Sequence, residues 1–160
     1  MAVRAIDQGP PAGAVRSVSG PPRWVEHYIG LPYRERGHDR RGVHCWGLVW
    51  LVYRDCLGIE LHRDDTVTSA DLRAFATLLR RGASSTPWAE VADRHDYDVM
   101  LLSSLFTENG RLRRLPAHVG VVAGDHLLHV ERGANAVCVP MSHPSIRNRI
   151  LGCYRHHSHD

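Results

Sequence analysis

Cys45 stands where a polar, aperiodic segment, Leu31 to Val43, gives way to the apolar run CWGLVWLVYRDCLG. A cysteine at such a junction opens a helix, where unpaired backbone N–H groups and the helix dipole favour a thiolate. A base for it is offered by the stretch AHVGVVAGDHLLHVE. Gly124 and Asp125 suit a two-residue hairpin turn. Pairing Ala123 with His126 then sets Gly120 opposite His129 and His118 opposite Glu131, all on one face of the sheet, with Val119, Val121, Leu128 and Val130 on the other. A general base needs a third group to hold its imidazole in one tautomer, and His129 or Glu131 is placed to do this for His118. Together these residues make the nucleophile, base and orienter of a thiol hydrolase. The plainer alternatives are a buried structural thiol at Cys45 and a solvent-facing polar stripe on the hairpin. Zinc held by Cys45, His118 and His129 is a weaker arrangement, because the hairpin supplies only two ligands and no visible partners to orient them.

Such groups need a scaffold that brings residue 45 to residues 118 and 129. Trp24 with Tyr28 and Val25 with Ile29 repeat at helical spacing before Gly30 and Pro32, which predicts a short first helix. Cys45, Leu48, Val49, Val52 and Cys56 form one helical stripe ending at Gly58, and a buried helix is expected there. A third helix has Thr68 or Ser69 as its cap, Leu72, Phe75, Ala76 and Leu79 as its apolar face, and Gly82 as its end. Strands are expected at Val99 to Leu102, Val119 to Ala123, Leu127 to Val130, Ala136 to Val139 and Ile150 to Tyr154. The stretch from Ser103 to Pro116 is taken as a polar, arginine-bearing insertion between two strands. Helices first and antiparallel strands afterwards predict an α+β domain, with the N-terminal helices packed on a central antiparallel sheet.

The chain has 160 residues, enough for one core, and its 20 basic side chains are all arginine against 17 acidic ones. A net charge of +3, with the arginines scattered, does not suit a nucleic-acid binder. A hydrophobic share of 43% excludes a disordered chain. No apolar stretch approaches the ~18 residues of a membrane span. Residues 1–22 read as a flexible arm rich in Gly, Pro and Ala, without the apolar core of a secretory signal. The globular domain is expected over 23–155, followed by a solvated His-rich tail at 156–160. Cys56, Cys138 and Cys153 are expected as free core thiols. Neither a metal nor a cofactor is expected.

The segments YIGLPYRERG, CWGLVWLVYRDCLGIEL, DVMLL and HVGVVAGDHLLHVERG, in that order, resemble the NlpC/P60 family of cysteine peptidases over most of residues 24–155. The closest resemblance is to the branch found in phage tails and phage-like particles. It implies a papain-like α+β fold, Cys45 as nucleophile, His118 as base and His129 as third polar residue. Tyr33 matches a family tyrosine beside the nucleophile near the oxyanion site. The implied substrate is a peptidoglycan stem peptide, cut between D-glutamate and diaminopimelate or lysine. The implied setting is a virion tail tip acting on the bacterial cell wall, with tail hub or tail-tip proteins as partners. The alternative is a structural component of such an assembly with a weakened or dormant site. His44 departs from the pattern, since the family usually carries Asp immediately before the nucleophile. Trp46, next after Cys45, is expected to line the substrate groove, and the arginine pair Arg113 and Arg114 suits substrate carboxylates or, equally well, a soluble surface.

Overall fold

The computed structural model describes residues 19–63, 68, 71–84 and 87–159. Most of the expected arm therefore lies outside the described residues, as does Ser69. The described chain opens with a 3-10 turn at Arg23–His27 that buries Val25. Where an aperiodic loop was expected, two short strands, β1 (His38–Asp39) and β2 (Gly42–Val43), pair antiparallel. Tyr33 bridges to Val43 beside them. Glycines make this corner possible: a Cβ on Gly37 would lie 2.4 Å from the Gly42 carbonyl oxygen.

Helix α1 (Cys45–Val52) follows at once, and every residue in it except Trp46 is buried. A helix apolar on all sides belongs inside a core, and the Trp50 indole N–H is satisfied by the Leu61 carbonyl at 2.9 Å. The helix then widens into a π-helical turn, Tyr53–Leu57, and stops at Gly58, whose φ of 66° is the left-handed cap glycine tolerates. The widened turn rotates Cys56 off the buried stripe. That cysteine is exposed, correcting the expectation of a core thiol, while Cys153 is buried and Cys138 half-buried.

Helix α2 (Leu72–Ser84) packs Phe75, Ala76 and Leu79 inward as expected. Its cap is Asp71 rather than Thr68: the Asp71 carboxylate accepts from the Ala74 amide at 3.1 Å. It also runs past Gly82.

A six-stranded antiparallel sheet completes the domain, with strands β3 (Trp88–Glu90), β4 (Val99–Glu108), β5 (Arg111–Ala123), β6 (His126–His129), β7 (Val137–Pro140) and β8 (Ile150–His156). Its order is β3-β8-β4-β5-β6-β7. Ser103 to Pro116 is not an insertion. β4 and β5 remain paired out to Glu108 and Arg111, around a turn in which Asn109 and Gly110 have φ of 51° and 71°. Asn-Gly favours this two-residue turn because both positions require positive φ. Strand β3 was not foreseen. At the His-rich end His156 closes β8 and is buried, while His157–His159 form a 3-10 turn, exposed at His157 and Ser158, with the His159 ring against the Asp96 carbonyl.

The sheet separates two apolar layers. On one face Val99, Leu101, Val119, Val121, Leu128 and Val130 pack against α1 and α2. On the other, Met100, Leu102, Val122 and Leu127 meet Met141 and Ile146, the latter in a one-turn helix α3 (Pro144–Arg147). This is the α+β, papain-like arrangement expected. No helix among the described residues is long and apolar enough to cross a membrane.

Candidate active site

Cys45 is the first residue of α1, and its placement follows from what precedes it. His44 is extended, with φ of −97° and ψ of 177°, and its side chain does not cap the helix. The Gly37 carbonyl accepts from the His44 amide at 3.0 Å and pins the helix start to the β1 corner. Gly47 permits that closeness, because a Cβ there would lie 1.9 Å from the same Gly37 oxygen. The backbone amides of Val119 on β5, of Trp46 and of Cys45 itself lie around the sulfur and favour its charged form.

Those amides favour a thiolate, as expected at a helix N-terminus, but burial is the larger influence. Cys45 is 4% exposed, and desolvation pushes its thiol up to about 12. The resting nucleophile is therefore a neutral thiol, which corrects the expectation of a thiolate set by the helix terminus alone.

The hairpin adopts the foreseen register, with Val121 opposite Leu128, Val122 opposite Leu127 and Ala123 opposite His126. Gly124 takes the positive φ, 58°, that the tight turn needs. Gly120 keeps the strands close, since a Cβ there would meet Leu127 at 2.8 Å. His118 Nε2 lies 3.0 Å from His129 Nδ1, with both rings buried. That bond leaves His118 Nδ1 as the ring atom free to act on the thiol. Burial, followed by the neighbouring His129, brings His118 down to about 3; burial also lowers His129. Base and orienter thus rest as neutral imidazoles.

A cleft of about 560 Å³ joins these groups, lined by Cys45, His118, Tyr33 and Glu131 together with Arg132 and Arg149. Tyr33 enters from the loop before β1, its backbone amide donating to Ala134 at 3.2 Å. The Tyr33 hydroxyl donates to Glu35 at 3.0 Å, and Arg132 bonds the same carboxylate oxygen. Glu131 is opposed by burial, yet its bond to Arg149 and the charge of that guanidinium outweigh this and leave its carboxyl below the ordinary value.

Of the residues singled out from the sequence, Cys45, His118, His129, Glu131 and Tyr33 are brought together, while His44 and Trp46 are not. The His44 ring packs edge-on to Phe75 at 6.3 Å. Trp46 lines a different, largely apolar cavity with Leu78, Trp88 and Tyr154, its indole N–H donating to the His62 carbonyl at 3.1 Å. The expected arginine pair also points elsewhere: Arg113 pairs with Glu108, and Arg114 donates to Ser103 and Asn148. The cleft's cations are instead Arg132 and Arg149. Arg132 adjoins the hairpin in sequence and was within reach of the register argument, whereas nothing local marks Arg149.

The alternative zinc set is not what the geometry offers. Among the described residues, the group with ligand atoms within 4.8 Å of one another is His118, His129 and Glu131, without Cys45. Arg149 already bonds that carboxylate, and its guanidinium would oppose a metal's charge.

No protein-family model matches the chain, and no curated protein does. Solved structures match in fold. The NlpC/p60 domain of the peptidoglycan hydrolase SagA superposes with a TM-score of 0.52 at 18% identity, covering 82% of this chain and 92% of that one. A Staphylococcus aureus subsp. aureus Mu50 protein, described as similar to lipoprotein, NLP/P60 family, gives 0.50 at 19% identity over 82% of this chain and 38% of that one. The chain thus corresponds to little more than a third of the second structure, and at these identities the likeness is one of fold.

Proposed function

We propose that the chain is a cysteine peptidase of the NlpC/P60 type that cleaves an amide bond in a peptidoglycan stem peptide. The observation that carries this is the meeting, in one cleft, of a helix-opening cysteine with His118, a buried histidine bonded at 3.0 Å to His129. The Cys45 sulfur attacks the carbonyl carbon while its proton passes to His118 Nδ1, so thiolate and imidazolium form only as the bond is made. The developing oxyanion is met by the Cys45 amide. The leaving amine takes the proton from His118, and water, deprotonated by the same ring, releases the product acid from the thioester. His129 keeps His118 in the tautomer this requires. Tyr33, engaged with Glu35 in the resting cleft, would reach the oxyanion only by exchanging that partner.

Arg132, exposed at the cleft, is suited to a carboxylate of a D-glutamate–diaminopimelate segment, which supports a stem peptide as substrate. Placement on a phage-like tail tip, next to hub proteins and acting on the cell wall, is supported by the order of motifs alone. Incubating the protein with a stem tetrapeptide tests the activity. Cys45→Ala should abolish fragment release and His118→Ala should lower it ~10²–10⁴-fold. Equal release by wild type and Cys45→Ala would end the proposal. The burial of both thiol and base favours a second state of the same site, dormant until a partner or substrate opens the cleft. Release that appears only after assembly into a particle distinguishes that state.

A further inference from the structure

When His118 takes the thiol proton it becomes a cation, and its bonded neighbour His129 is a neutral ring that brings no counter-charge. Among the described residues the nearest anion is Glu131, whose Oε1 lies 3.9 Å from His118 Nε2. Glu131 follows the end of β6 and its side chain is 45% exposed, so left alone it would turn to water. Arg149 holds it in place. One guanidinium nitrogen bonds the same Oε1, Nε donates to the Ser103 carbonyl at 2.8 Å, and the other nitrogen reaches the Ser104 hydroxyl at 3.4 Å. The Arg149 carbonyl in turn accepts from the Ser103 amide at 2.8 Å, so side chain and backbone of Arg149 grip one residue of β4. Ser103 is open to this grip because β4 changes register there, between Leu102 and Ser103 against β5 and between Leu101 and Leu102 against β8. Bulges next to active sites re-aim side chains in this way.

We infer that Glu131, clamped by Arg149 at the β4 irregularity, is a positioning residue that supplies the counter-charge for the His118 imidazolium. The inference rests on the proposed roles of Cys45 and His118. The ion pair forms a dipole whose negative end faces the ring, so Arg149 diminishes the field of Glu131 without cancelling it. Proton transfer itself is unchanged: the S–H bond breaks, the Nδ1–H bond forms, and Glu131 exchanges nothing.

Two effects of Glu131 have opposite signs, and this makes the test decisive. Acting directly on Cys45, its charge disfavours a thiolate; acting through His118, it favours departure of the proton. Alkylation of Cys45 by iodoacetamide at pH 7, carried out on the folded protein and read at Cys45 by peptide mapping so that exposed Cys56 is counted separately, reports the sum without any substrate. Glu131→Gln should slow alkylation roughly tenfold, the equivalent of one unit in the proton affinity of His118. An unchanged or faster rate overturns the inference. Arg149→Gln should also slow the reaction in the wild-type background and add nothing in Glu131→Gln; an equal cost in both backgrounds overturns it as well. The half-exposed Glu131 makes Glu131→Gln the variant whose melting temperature should stay at the wild-type value, separating this effect from misfolding. A His118→Ala control separates the two levels. If it leaves Cys45 alkylation unchanged, the base assignment fails and the inference with it; if it slows alkylation while Glu131→Gln does not, the inference alone fails.

Discussion

A thiol at a helix N-terminus is subject to two opposed influences, and in Cys45 their order is visible. Amide hydrogen bonds pull its proton affinity down, desolvation pushes it up, and desolvation wins. The expected consequence is a nucleophile that is quiet until a base assists it. At pH 7 a thiol reagent should modify the exposed Cys56 first and Cys45 last, as peptide mapping after partial reaction will show; preferential labelling of Cys45 would mean a preformed thiolate. The histidines behave in the same sense. His118, brought down to about 3, and the lowered His129 and His156 are held below the value they have in an unfolded chain. A depressed histidine contributes stability that is complete above its unfolded value near 6.5 and is lost as pH falls towards its folded one. The melting temperature should therefore drop on acidification from pH 7 to pH 5. For deeply buried His118 the loss is at most about 1.4 kcal/mol per pH unit below 6.5, and His118→Gln should flatten that slope.

At the scale of elements, the position of Cys45 depends on how closely α1 can approach the β1 corner. Gly47 is the residue that allows it, and a methyl group there would collide with backbone rather than with a flexible side chain. Gly47→Ala should displace the first turn of α1, destabilise the protein by about 1–3 kcal/mol as overpacking does, and lower peptidase activity more than stability alone explains. Denaturant melts and kcat/KM measured on the same preparations check this. The β4–β5 hairpin is a second such case. Its Asn109-Gly110 turn is present in the sequence, but arginines and polar residues around it obscure the alternation of Leu105, Thr107 and Leu112. Strand pairing overrode composition there, since both edges of the hairpin satisfy each other's backbone groups without needing an apolar face. Cys56 shows the reverse failure: its helical spacing was right for an α-helix, and a π-helical turn moved it to the surface.

Across the whole molecule, the sheet is tied to the loop that precedes it by one buried ion pair. Asp98 is fully buried and takes two hydrogen bonds at 2.8 Å from the Arg155 guanidinium on β8, while its Oδ2 also accepts from the His95 amide. Arg155→Met should cost about 3–5 kcal/mol, because it leaves a carboxylate buried without its cation; a loss below 1 kcal/mol in urea unfolding would show that water compensates. The residues that make the candidate site were legible in the sequence to unequal degrees, for a physical reason. Helix starts, hairpin turns and strand alternation are local, so the order Cys45, His118, His129 and the pairing of Ala123 with His126 followed from spacing alone. Burial and the partners of long side chains are sums over the entire fold. Only the tertiary structure decided that Cys45 rests as a thiol, that Trp46 turns to another cavity, and that Arg149 reaches back across β4 to Glu131.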